Sequence, residues 1–229
     1  MGLKSEAAGR GICGVDEAGR GPVIGPLVVA GVLVSDDSEL SKIGVRDSKA
    51  LSAKHRESMD AQIRKVARIG ISVIPADLVD SWRGEDSLNN IEAGEFARII
   101  RELRPARAFV DAADVDAGRF GRKVKELAGG RTEIVSEHEA DSKHPVVSAA
   151  SIIAKVRRDA EVATIAEDLA ELEPTFPPLG SGYPSDQVTI TFIRTWIRER
   201  GMVPPHARKT WKTVKRLLAE AETRKLSEW

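Results

Sequence analysis

The sequence predicts a mixed α/β fold whose first strands are antiparallel, whose later strands are parallel, and which carries a small helical appendage at its C-terminal end. Three observations predict it. Short Val- and Ile-rich runs crowd the first 75 residues. A strand–helix alternation follows from about residue 88, and alternation of this kind implies βαβ crossovers and parallel pairing. Beyond a Pro- and Gly-rich break at 174–182 only helical segments remain.

Gly11–Asp16 and Leu27–Val34 read as two buried strands joined by a tight connection, with Gly-Pro punctuation between them. Leu51–Ala67 has helix composition, and Ser52 suits its N-cap. Arg68–Pro75 alternates apolar residues at Ile69, Ile71 and Val73 and reads as a third strand. Leu88–Leu103 is amphipathic, with Ile91, Phe96, Ile99, Ile100 and Leu103 on one side. A strand at Ala106–Asp111, a helix near Val115–Ala128 and a strand at Thr132–Ser136 come next. Val146–Leu172 reads as one long helix whose nearly all-apolar first half should lie flat against the sheet. Ser185–Arg200 and Ala207–Glu222 complete the helical appendage, and the expected domains are 1–180 and 181–229.

At 229 residues, 41% of them apolar and 31% charged, the chain can bury a core and solvate its surface. The net charge is zero, but Arg194–Lys225 holds ten Lys or Arg against three Glu. Such a local basic stretch can hold a nucleic acid in a neutral protein. The single cysteine, Cys13, excludes an intrachain disulfide and a multi-cysteine zinc site, and its apolar neighbours suit a core residue. The longest apolar run, Pro22–Val34, is interrupted by Gly25, Pro26 and Gly31 and is too short to cross a bilayer. With no signal-peptide centre at the N-terminus, the expectation is a cytoplasmic protein without a membrane partner.

Four acids carry the chemistry. Asp16 and Glu17 close the first strand and run into a Gly-rich turn; Asp111 ends a second apolar strand; Asp141 precedes the apolar helix. Ligands of α/β sheets collect beyond the carboxyl ends of parallel strands. Each acid also has an ordinary structural role open to it: a solvated turn for Asp16-Glu17 and a helix cap for Asp141, while Asp114 or Asp116 could cap the helix after Asp111. Adjacent strand residues face opposite sides, so Asp16 and Glu17 share a site only if the chain bends. Clustered carboxylates without cations would raise one another's pKa. Hard oxygen ligands of this kind suit Mg²⁺ or Mn²⁺, and a pair of such ions can drive phosphodiester hydrolysis.

Asp16-Glu17-Ala18-Gly19-Arg20-Gly21-Pro22 resembles the opening signature of type 2 ribonuclease H, ribonuclease HII. The resemblance continues through Arg46-Asp47-Ser48-Lys49, Val110-Asp111, Glu137 to Lys143, Val146 to Lys155 and Gly182-Tyr183-Pro184-Ser185-Asp186. The blocks stand in family order over about residues 11–190, with archaeal-like spacing between the last two acids. Beyond them the resemblance is weakest and rests mainly on Arg208-Lys209-Thr210-Trp211. The resemblance implies a ribonuclease H-like fold, with Asp16, Glu17, Asp111 and Asp141 as catalytic ligands of two Mg²⁺ or Mn²⁺ ions. It implies that Gly19, Arg20 and Gly21 sense the ribose 2′-hydroxyl through their backbone, which suits the group that tells RNA from DNA. Tyr183 would pack on the following sugar, and Arg46 and Lys49 would touch phosphates. The implied substrates are RNA–DNA hybrids and duplex DNA with embedded ribonucleotides, cut by a monomer to leave 3′-hydroxyl and 5′-phosphate ends.

Other readings stay open on residues alone. Tyr183 also suits simple packing and Lys49 an ordinary exposed position. Lys209, Lys212, Lys215 and Arg216, with Trp196 and Trp211 interleaved, suit a solvated basic face as well as a grip on duplex backbone. His138 and His144 lack metal-ligand spacing and read as structural. A noncatalytic nucleic-acid-binding module and a metal-dependent phosphatase are the rival classes.

Overall fold

The computed structural model describes residues 10–45 and 51–227. Five strands form one sheet in the order β3-β2-β1-β4-β5: β1 Ile12–Ala18, β2 Leu27–Val34, β3 Arg68–Ile74, β4 Arg107–Asp111 and β5 Glu133–Glu137. β1 pairs antiparallel with β2, while the β1–β4 and β4–β5 pairs are parallel. The expected change from antiparallel to parallel is therefore present. The helices are α1 Ser38–Ile43, α2 Ala53–Val66, α3 Ala76–Glu85, α4 Leu88–Leu103, α5 Ala117–Ala128, α6 Ala140–Lys143, α7 Pro145–Leu172, α8 Gln187–Arg200 and α9 Lys212–Ser227.

Local chemistry accounts for several boundaries. The Ser52 hydroxyl accepts the His55 N–H at the start of α2, and Asp116, not Asp114, caps α5 through the Arg119 N–H. Several expectations were displaced, and α1 and α6 also fall where no element was expected. The α3 helix falls where no element was expected, opening directly after Pro75, which cannot donate a ladder bond and suits a helix start. The last helix begins at Lys212 rather than Ala207, because Ala207 is spent in an antiparallel bridge with Ile24. No helix among the described residues is long and apolar enough to cross a membrane.

The chain forms two compact units. The first comprises Met1–Ala18, Val28–Ser72 and Asn89–Val156, and the second Gly19–Leu27, Val73–Leu88 and Arg157–Trp229. In the first unit β2 is buried along its whole length, and Ile99 and Leu103 of α4 lie over Gly31. Cys13 is buried there as expected, and burial pushes its thiol up to about 12. On β1, a Cβ at Gly14 would lie 2.1–2.3 Å from backbone atoms of Val146 and Val147. Strand and helix thus touch backbone to backbone, and Pro145–Ala154 is buried throughout. The core of the second unit gathers Val23, Ile24, Ile165, Leu169, Ile193 and Trp196 with Val214 and Leu217. Trp196 meets the Phe176 ring edge-on at 5.6 Å.

Candidate metal centre

Parallel pairing is what brings the first two acids together. Val15 stands opposite Val110, so Asp16 and Asp111 follow as neighbours on adjacent strands, about 4.8 Å apart between chains. The third acid arrives on a short turn. Glu139 takes a left-handed backbone at φ 54°, and the Ala140 N–H then donates to Asp111 Oδ1 at 3.2 Å. That bond fixes the first turn of α6, which carries Asp141. Carboxylate oxygens of Asp16, Asp111 and Asp141 all lie within 4.8 Å of one another. Asp16 and Asp141 are buried, and Asp111 is half-buried.

Asp16 bears the electrostatic consequence. Burial first, and the Asp111 carboxylate second, lift its pKa from 3.8 to about 7. The Ser151 hydroxyl, the Glu17 N–H (2.8 Å to Asp16 Oδ1) and the Lys155 ammonium pull the other way and lose. Two full charges within 4.8 Å repel by roughly 3 kcal/mol at an effective dielectric of about 20. Ser151 and Lys155 are one helical turn apart on α7 and face the same way. Both lay inside the sequence block that resembles the family, but no role was read for them. The i, i+4 spacing of a hydroxyl and a cation just after Asp141 was the available signal.

Glu17 is not a member of the three-acid group. β1 keeps regular register through Ala18 opposite Val28, so the bend that would turn Glu17 to the side of Asp16 is not made within the strand. His144 stacks on Phe109 at 4.2 Å between ring centres and approaches Glu137 at 3.4 Å, which suits the structural role expected of it. Arg46 and Lys49 lie outside the described residues.

Gly19, Arg20 and Gly21 belong to the second unit. Gly19 sits at φ +91°, and a Cβ there would be 2.5 Å from the Pro26 carbonyl oxygen, so the loop doubles back on itself in a way glycine alone accommodates. Gly21 neighbours Tyr183, whose Cε1 would be 3.8 Å from an added Cβ. Tyr183 is partly exposed, and the Arg158 guanidinium lies over its ring at 4.8 Å from the centroid. Arg158 is itself buried and donates to the Ser181 carbonyl at 2.7 Å. Asp186 ties the same loop by accepting the Ser181 N–H and hydroxyl at 2.7 and 2.8 Å, and these bonds hold its carboxyl down at about 2. Arg158 was not singled out from the sequence, and Arg208, which grips the Gly19–Gly25 loop, was named only within a matching block, with no role. Their partners are far away along the chain, so no local spacing announces them.

The family model of ribonuclease HII matches residues 13–214. The chain belongs to the ribonuclease HII family. It is thus a nuclease, and the acidic group described above is its metal-binding site. The ribonuclease HII of Methanocella arvoryzae is 44% identical over 212 residues, covering 91% of this chain and 92% of its own. The solved PCNA:RNase HII complex from Archaeoglobus fulgidus contains a chain with 42% identity and a TM-score of 0.82, covering 90% of this chain and 96% of that one. Bst-RNase HIII in complex with Mn²⁺ matches at a TM-score of 0.74 and 25% identity, over 95% of this chain and 72% of its own. The ribonuclease H-like fold expected from the sequence is therefore the fold observed.

Proposed function

We propose that this member of the ribonuclease HII family hydrolyses the RNA strand of RNA–DNA hybrids and incises on the 5′ side of ribonucleotides embedded in duplex DNA, leaving 3′-hydroxyl and 5′-phosphate ends. The observation that carries the reading is the meeting of Asp16, Asp111 and Asp141 within 4.8 Å. The donor chemistry fits a hard divalent cation: every oxygen comes from a carboxylate, and no histidine or cysteine joins the group. Such ions would be Mg²⁺ or Mn²⁺, a pair of them held by the three aspartates, with Glu17 joining as the fourth ligand once the end of β1 bends toward them. Bound there, they would supply Lewis-acid stabilisation of charge at the scissile phosphate and a more acidic attacking water.

The chain's own groups prepare this. The Ala140 N–H orients Asp111. The Ser151 hydroxyl and Lys155 favour the charged form of Asp16, the form that can ligate a cation. The backbone of Gly19, Arg20 and Gly21 reads the ribose 2′-hydroxyl, since only a ribonucleotide offers that group. Tyr183, braced by Arg158, packs on the next sugar, and Arg46 and Lys49 contact phosphates. Lys209, Lys212 and Lys215 are exposed and would grip the duplex backbone away from the reacting bond.

The test is a duplex carrying one ribonucleotide beside an all-DNA control, with Mg²⁺ and Mn²⁺ supplied in turn. Incision only on the 5′ side of the ribonucleotide is the expected result. Cutting of the all-DNA control, or turnover of small phosphate esters with indifference to the 2′-hydroxyl, would sink the reading.

A further inference from the structure

Arg208 is fully buried, at 0% exposure. An arginine keeps its charge at any working pH, and a buried charge needs partners. Here they are main-chain carbonyls of a single loop. Nε donates to Gly25 O at 3.0 Å, one terminal nitrogen to Arg20 O at 3.2 Å and the other to Gly19 O at 2.6 Å. The backbone of Arg208 is tied to the same loop. Its N–H donates to Val23 O at 2.8 Å, the Gly25 N–H donates to His206 O at 2.9 Å, and Ala207 bridges Ile24. The guanidinium also lies 4.8 Å from the centre of the Trp211 ring.

The peptide unit is planar and trans, so its C=O and N–H point in opposite directions. Holding the Gly19 and Arg20 oxygens on the guanidinium turns the N–H groups of Arg20 and Gly21 away from Arg208. Gly21 is exposed and Arg20 half-buried. We propose that Arg208 is a positioning residue for ribose recognition, whose planar fork aims the Arg20 and Gly21 amides without touching substrate. This rests on the reading of Gly19–Gly21 as the ribose-sensing loop. Lysine at this position keeps the charge but not the fork, and a single ammonium cannot reproduce the geometry of three fixed donors.

The experiment compares the wild type with Arg208→Lys and with Val214→Ala, a core truncation in the same unit that also lowers stability. Duplex affinity is measured with Ca²⁺ in place of Mg²⁺, for a duplex with one ribonucleotide and for its deoxy counterpart. Hydrogen exchange is followed in residues 19–25, and kcat is measured with Mg²⁺. In Arg208→Lys the ribo/deoxy affinity ratio should fall toward one, exchange in 19–25 should quicken, and kcat should drop by about tenfold or more, the scale of a small misplacement of a reacting group. Val214→Ala should keep the wild-type ratio. Should Arg208→Lys not fold, Trp211→Leu removes the ring but leaves the fork, and a smaller fall in the same ratio is expected. A discriminating wild type whose ratio survives these changes overturns the proposal alone. A wild type with no preference for the ribonucleotide overturns the ribose reading and the proposal with it.

Discussion

In the first unit, Asp16, Asp111 and Asp141 bring like charges within 4.8 Å, and burial with Asp111 beside it holds Asp16 at about 7. In the second, Arg158 and Arg208 are buried as deeply, yet carbonyl oxygens and aromatic rings meet them. Each nitrogen of the Arg208 fork meets a main-chain carbonyl as folded. The carboxylate arrangement is complete only with a counter-charge from outside. The difference separates buried charge that builds a scaffold from buried charge that does chemistry, which is where strongly shifted pKa values tend to collect.

The largest effect should fall on activity. Asp111→Asn, or chelation of divalent ions, should lower kcat on a labelled hybrid by at least about 100-fold, beyond the 10–100-fold of changes to groups that merely support a ligand. Duplex affinity of Asp111→Asn, measured by titration, should stay near wild type. Robust cleavage by this variant would dissolve the contrast drawn above. Next comes stability in the second unit. Arg208→Met leaves three carbonyls without their donor, and at about 1–3 kcal/mol per unsatisfied group the cost should be roughly 3 kcal/mol or more. Thermal melts with and without Mg²⁺ should show the same loss, since these oxygens answer to no metal.

The first unit should respond to metal instead. Mn²⁺ at 100 times its Kd should stabilise the wild type by about 2.7 kcal/mol. A smaller effect concerns pH. Below about pH 4 Asp16 is protonated whether the chain is folded or not; between there and about 7 only the folded state keeps the proton. Stability from this group is therefore lost as pH rises from about 4 to about 7 and is level above that. Metal-free wild type should melt lower at pH 8 than at pH 5 by a wider margin than Asp16→Asn does. Equal margins would mean that the crowding of charge is not felt. The smallest effect belongs to the basic C-terminal stretch: Lys209, Lys212 and Lys215 changed together to Ala should flatten the salt dependence of duplex binding by up to about 0.9 per lost phosphate contact. Single-turnover cleavage at saturation should hardly change.

Much of this could be read before the fold was seen, and the reasons are local. The runs at Leu27–Val34 and Ala108–Val110 are apolar enough to demand burial, and Asp16 and Asp111 stand at the carboxyl ends of such runs. Ser52 announces its helix because a cap is a four-residue device, here Ser52 to His55. The helix at Ala76–Glu85 escaped because, among its described side chains, only Val79 besides Ala76 is deeply buried, so no apolar stripe marks it. Arg208 escaped for the opposite reason: its surroundings read as a basic surface, and only tertiary contacts reveal a buried fork. The meeting of Asp141 with the other two acids depends on a left-handed residue, Glu139, that nothing in the sequence marks.

The bond from Arg208 to Gly19 spans 189 positions. During synthesis the early loop leaves the ribosome long before its clamp exists, and chains fold from the N-terminus as they emerge. A product broken off before residue 208 would carry all three aspartates with nothing to set the loop beside them in sequence. The last tenth of the chain therefore carries the donors that hold this early loop, and a shorter product would lack them.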